Sequence, residues 1–148
     1  MKYQGLEVLL VEDDPDDLEL TLHTLQEARI TNPINVARDG QEALDYVFSR
    51  GAHAGHENVQ PRLILLDLKL PKVGGFQVLR EIKADPSTRA IPVVILTSSG
   101  QERDLTDAYD LGANSYIQKP VDFVEFQKTI REMGNYWLGV NRAMPASN

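Results

Sequence analysis

Short, wholly apolar runs alternate along this chain with stretches in which apolar residues recur every third or fourth position. Strands buried on both faces produce the first pattern and amphipathic helices the second. Leu6–Val11 reads as a first strand, Ile34-Asn35-Val36-Ala37-Arg38 as a less apolar edge strand, and Leu63–Leu66 as a central one. Pro92–Leu96 is the fourth strand and Ser115–Ile117 a short last one. Between them, Leu18, Leu22 and Leu25 mark a first helix, and Ala43, Leu44, Val47 and Phe48 a second. Val78, Leu79 and Ile82 mark a third, and Leu105, Ala108 and Leu111 a fourth. A final helix starts near Val121 and carries Phe123, Phe126, Ile130, Met133 and Trp137 on one side.

The punctuation agrees with this reading. Asp14 can cap a helix whose first turn accepts Pro15, because the missing N–H there has no intrahelical partner to lose. Gly74-Gly75 precedes the third helix, Asp85-Pro86 ends it, and Gly112 stops the fourth. Arg50–Pro61, with Gly51, Gly55 and Asn58, reads as a surface loop. Strands alternating with helices call for a single five-stranded parallel sheet with five helices and right-handed crossovers, an α/β fold. The expected organisation is one domain over 1–140 and a polar C-terminal tail over 141–148, with no internal repeat and no linker to a second domain.

In such sheets ligands bind beyond the carboxyl ends of the strands. Those ends carry Glu12-Asp13-Asp14, Asp67, Thr97-Ser98-Ser99 and Lys119-Pro120. Carboxylates packed together oppose one another's ionisation, and a hard divalent cation relieves that repulsion. With Mg²⁺ bound in that crevice, a phosphoryl group can approach the Asp67 carboxylate, which can then act as nucleophile and form an acyl phosphate. Lys119 would offset charge on the phosphoryl oxygens and Thr97 would donate a hydrogen bond to one of them. Asp14, Asp16 and Asp17 read instead as acids at a helix N-terminus, where the dipole favours them.

Composition narrows the classes. The 148 residues carry a formal net charge of −7, which argues against nucleic-acid binding by the domain as a whole. There is no cysteine, so thiolate metal sites and disulfides are excluded. No apolar run approaches the roughly 20 residues of a membrane helix, and the N-terminus shows no signal peptide. A cytoplasmic protein without membrane or nucleic-acid contacts is the expectation.

The constellation resembles the receiver domain of two-component response regulators, a flavodoxin-like fold. The matching motifs are Val11-Glu12-Asp13, Leu66-Asp67-Leu68, Leu96-Thr97-Ser98 and Lys119-Pro120, in this order at the ends of strands. The resemblance implies a phosphoacceptor at Asp67, served by a histidine kinase, and a Mg²⁺ site formed by Asp13, Asp67 and the backbone carbonyl of Lys69, with Glu12 helping through water. It implies a cis peptide between Lys119 and Pro120. It also implies a switch, in which Thr97 moves toward the phosphoryl group, Tyr116 turns inward, and the face of the fourth helix, fifth strand and fifth helix responds. Gly74 departs from the family pattern, where an acidic or amide residue often precedes the glycine.

The ending Tyr136-Trp137-Leu138 further resembles stand-alone receivers that partner phytochrome kinases, as does Leu70-Pro71-Lys72. That likeness implies a homodimer formed through the last helices, with Phe123, Tyr136, Trp137 and Leu138 as candidate contacts. Signalling would then run through protein contacts. His53 and His56 read as solvated loop residues. Three competing readings are weaker. A haloacid-dehalogenase-type phosphatase would need an aspartate where Lys69 stands. An FMN binder would not place Glu12-Asp13-Asp14 against a phosphate. A phosphorylation-independent pseudo-receiver has no use for the full set of Glu12, Asp13, Asp67, Thr97 and Lys119.

Overall fold

The computed structural model describes residues 7–51, 54, 60–120 and 122–142. Five strands, β1 (Val8–Val11), β2 (Ile34–Ala37), β3 (Leu63–Leu66), β4 (Val93–Thr97) and β5 (Ser115–Gln118), form one sheet of order β2-β1-β3-β4-β5. Every pairing is parallel. Helices α1 (Pro15–Glu27), α2 (Gly40–Val47), α3 (Gly75–Ala84), α4 (Glu102–Asp110) and α5 (Phe123–Asn135) alternate with them. The order of the strands reverses between β1 and β3, which makes their carboxyl ends the switch point.

The apolar strands are apolar throughout because both faces are covered. Leu9, Val11, Ile64, Leu66, Val93 and Ile95 pack with α2 and α3 on one face. Val8, Leu10, Leu63, Leu65, Val94 and Leu96 pack with α1 and α5 on the other. All residues of β1, β3 and β4 are buried, whereas edge strands β2 and β5 are mostly half-buried. Among the residues of α4, Ala108 alone is buried and Leu105 is exposed, so this helix is lightly attached.

Local chemistry sets the element ends. Asp14 caps α1 by accepting from Asp16 N–H at 3.0 Å, with Pro15 as the first helical residue. Asp39 and Asp122 cap α2 and α5 through Glu42 and Glu125 N–H. Gly112 ends α4 with φ +104°, a conformation that side chains disfavour.

The last helix departs from expectation at both ends. Val121 lies outside the described residues, and α5 begins at Phe123, which is 56% exposed and belongs to neither core cluster. Phe126, Ile130 and Met133 form the buried stripe. Beyond Asn135 the helix widens into a π-helical turn over Tyr136–Val140, closed by Asn141 N–H donating to Tyr136 O at 2.6 Å. There Trp137 and Leu138 pack against the α1/α5 core, and Tyr136 stays exposed, edge-on to Trp137 at 5.1 Å between ring centroids. No helix among the described residues is long and apolar enough to cross a membrane. Leu6, His53 and His56 lie outside the described residues.

Candidate functional site

Parallel register brings the acids together. Val11 pairs with Leu66, so the next residues of the two strands, Glu12 and Asp67, emerge side by side at the switch point. Asp67 N–H donates to Val11 O at 3.1 Å and Glu12 N–H to Ala37 O at 3.0 Å, which extends the ladders to the crevice floor. One ligand oxygen each from Glu12, Asp13 and Asp67 lies within 4.8 Å of the other two. Glu12 and Asp67 are buried and Asp13 is exposed.

Asp67 is held at both carboxylate oxygens. Oδ1 accepts from Lys69 N–H at 3.1 Å, and Oδ2 accepts from Lys119 Nζ at 3.0 Å. The loop behind it folds tightly back on itself. Gly75 N–H donates to Leu68 O, and a Cβ on Gly75 would stand 2.4 Å from Asp67 O and 2.5 Å from Leu68 Cα. Only glycine permits that approach. Gly74, the residue that departs from the family pattern, has open space around it and leaves α3 without a side-chain cap. The same loop rests on α2, where a Cβ on Gly40 would collide with Val73 O.

Lys119 is the counter-charge. Its Nζ lies 2.5 Å from Glu12 Oε1, 2.9 Å from Asp17 Oδ2 and 3.0 Å from Asp67 Oδ2, with the lysine side chain 8% exposed. Burial pulls the ammonium toward deprotonation, but the hydrogen bonds it donates to Asp17 and Glu12 and the charges of Asp67 and Glu12 outweigh it, so its pKa is raised. Glu12 moves the other way for a carboxylate. Burial pushes it up to about 7, against the opposing pull of Lys119 and with a smaller push from Asp67.

Asp17, read from sequence as one acid of a helix N-terminus, is thus part of this network. No local signal marks it, since its partner is remote in sequence and the contact depends on how α1 is rotated over the end of β1. The Lys119–Pro120 peptide is trans, not cis as the resemblance implied. Trans is favoured for such a bond by about 0.5–1 kcal/mol. With it, Lys119 N–H donates to Thr97 O at 2.7 Å while Nζ reaches the carboxylates, so the local geometry does not require the other isomer.

Thr97 is fully buried at the end of β4, and its hydroxyl accepts from Ser99 N–H at 3.4 Å. Tyr116 packs against the core face that carries α2 and α3, and its hydroxyl donates to Ser99 O at 3.0 Å. Ser99 Oγ is in turn bound to Asp104 Oδ2 of α4 at 2.5 Å. Thr97, Ser99, Tyr116 and α4 are therefore joined by a short chain of bonds. Beside it, Tyr109, Tyr116, Met133 and Trp137 line a groove of about 370 Å³ between β5 and its flanking helices.

A doubly wound parallel sheet that gathers carboxylates and one ammonium at its switch point defines a class of α/β domains suited to cations and phosphoryl groups. Within that class the chain belongs to the response regulator receiver domain family, whose model matches residues 8–131. It is 43% identical over 136 residues to the probable methanogenesis regulatory protein FilR2 of Methanothrix harundinacea, covering 92% of this chain and 86% of that protein. It is 37% identical over 131 residues to response regulator Rcp1 of Synechocystis, covering 88% of each. The fold matches the phosphorylated cyanobacterial phytochrome response regulator RcpA with a TM-score of 0.88 at 36% identity, covering 94% of this chain and 98% of that one. It matches the Mn²⁺-bound form of Rcp1 with a TM-score of 0.88 at 34% identity, over 94% and 99% of the two chains.

Proposed function

We propose that this chain is a response regulator that accepts a phosphoryl group on Asp67 from a histidine kinase in a Mg²⁺-dependent reaction. The observation that carries the proposal is the orientation of the Asp67 carboxylate, with one oxygen fixed by Lys69 N–H and the other by Lys119, beside two further acids. An Asp67 oxygen would attack phosphorus as the phosphorus–nitrogen bond of a phosphohistidine breaks, and the bonding pair would return to the imidazole nitrogen. Lys119 would then face the phosphoryl oxygens, and Thr97 would turn its hydroxyl toward them.

Glu12, Asp13 and Asp67 fit a hard divalent cation, because three carboxylate oxygens converge within 4.8 Å. The carbonyl of Lys69 is the fourth protein ligand we assign to it, and the cation would neutralise charge between carboxylates and phosphoryl oxygens. The Mn²⁺-bound form of Rcp1 supports such a site here.

The likeness to RcpA supports a phytochrome-type kinase as the donor. Movement at Thr97 would pass through Ser99 and Tyr116 to lightly attached α4, making the groove beside β5 the responsive face. A homodimer would use exposed Phe123 and Tyr136; Trp137 and Leu138 would support that surface from behind. We place the protein in the cytoplasm, acting through protein contacts and not on nucleic acid.

The test is labelling by acetyl phosphate or a phosphorylated kinase with Mg²⁺. A single hydroxylamine-sensitive label should appear and should be absent in Asp67→Asn. The same label surviving that substitution refutes the assignment. For the dimer, light scattering should show a fall in mass for Phe123→Ser with Tyr136→Ser; an intact chain that is already monomeric at micromolar concentration refutes it.

A further inference from the structure

Three carboxylates surround Lys119, and only Glu12 and Asp67 belong to the group that could hold a cation. The third, Asp17, stands in the first turn of α1 and touches Lys119 Nζ at 2.9 Å. An ammonium has three protons to donate, and the contacts to Glu12, Asp17 and Asp67 use all of them. They come from three directions: the end of β1, the first turn of α1 and the end of β3. We propose that Asp17 is a positioning residue for Lys119, fixing the ammonium where it meets Asp67 Oδ2.

The geometry supports a task beyond favouring the helix dipole. Asp16 stands in the same first turn of α1, yet its side chain makes no contact with Lys119 among those described. Glu12 makes the shortest contact with Lys119, so without Asp17 the flexible lysine stem would let Nζ settle toward Glu12 and away from the phosphoryl acceptor. Asp17 draws it outward from the more open side, its side chain being 34% exposed against 4% for Glu12. When Asp67 becomes an acyl phosphate its own carboxylate charge is lost, and Asp17 remains as an anchor on the lysine.

The kinetic arm of the test rests on the proposed phosphorylation of Asp67; a second arm does not. In the second, the exchange of the Lys119 ammonium protons is followed by ¹⁵N NMR in the metal-free protein. Asp17→Asn should speed this exchange by about threefold or more, and Asp17→Glu should restore it in part. In the kinetic arm, Asp17→Asn should slow phosphorylation by acetyl phosphate at saturating Mg²⁺ by about threefold or more, without raising the half-saturating Mg²⁺ concentration. In a Lys119→Met background the same substitution should change the rate by less than about 1.5-fold.

Equal slowing in both backgrounds, or unchanged ammonium exchange in Asp17→Asn, overturns the proposal. If the unsubstituted chain takes up no phosphoryl group at all, the functional reading fails, and the ammonium exchange alone decides on Asp17.

Discussion

Glu12 should make the metal-free protein lose stability as the solution becomes more alkaline. Its carboxyl is buried, and burial pushes its pKa from 4.5 up to about 7 despite the neighbouring Lys119 ammonium. Below about pH 4.5 the group holds its proton whether the chain is folded or not. Between there and about pH 7 the unfolded chain releases the proton first, so the folded state binds more protons and its stability falls as pH rises. Above about pH 7 both states are ionised and the loss is complete.

The full span of 4.5 to about 7 corresponds to at most about 3 kcal/mol. Water entering the open crevice reduces this, and a loss of about 1–3 kcal/mol is expected. Lys119 does not confuse the window. Its pKa is raised above that of an ordinary lysine, so its own contribution is constant below the unfolded lysine value and declines only at higher pH.

The assay is urea unfolding in the presence of a chelator, followed by the fluorescence of the single tryptophan, Trp137, for the unsubstituted chain and for Glu12→Gln. The two should have similar stability near about pH 4.5, and the glutamine variant should be the more stable by about 1–3 kcal/mol near about pH 8. A difference that stays constant across this range would refute the reasoning, because it would mean that pairing with Lys119 already outweighs burial and Glu12 is ionised throughout.

Three further substitutions probe the architecture behind the site. Gly75→Ala drives a Cβ into Asp67 O and Leu68 Cα, and should cost about 1–3 kcal/mol in urea unfolding while slowing acetyl phosphate labelling. Gly74→Asp meets open space and supplies the cap that α3 lacks, so it should stabilise the fold by about 0.5–1 kcal/mol in the same assay. Lys119→Met leaves Glu12 and Asp67 without their ammonium and should destabilise the metal-free protein by about 3 kcal/mol near about pH 8. That cost should shrink near about pH 5, where Glu12 can hold its proton, as thermal unfolding at the two pH values would show.

The parts of this molecule that could be read from the chain are those governed by local chemistry or by burial on both faces. β1, β3 and β4 are uniformly apolar because helices cover both sides, and Asp14-Pro15 announces the start of α1. Once those strands are parallel, Glu12 and Asp67 must converge, and Lys119 follows from its place one residue beyond β5. What escaped the reading depends on rotation and phase. Asp17 resembles Asp14 and Asp16 in sequence, and only the orientation of α1 over the sheet selects it as a partner of Lys119. Gly74 and Gly75 are adjacent and alike, yet only the second is packed against backbone. Phe123 fits the apolar spacing of α5 but falls outside both core clusters.

The π-helical turn at Tyr136–Val140 has a bearing on how this end of the chain can change. A turn closed five residues apart holds one residue more than an ordinary helical turn, so it resets the angular phase of everything after it. The stripe of Phe126, Ile130 and Met133 runs on to Trp137 at ordinary helical spacing, so the reset falls on Asn141, whose carbonyl accepts from Arg62 Nη2 at 3.3 Å. Point substitutions around the turn should be absorbed. Removing one residue between Leu138 and Val140 would return the helix to a single frame and turn the Asn141 carbonyl away from Arg62, so at this place chain length is under stricter control than residue identity.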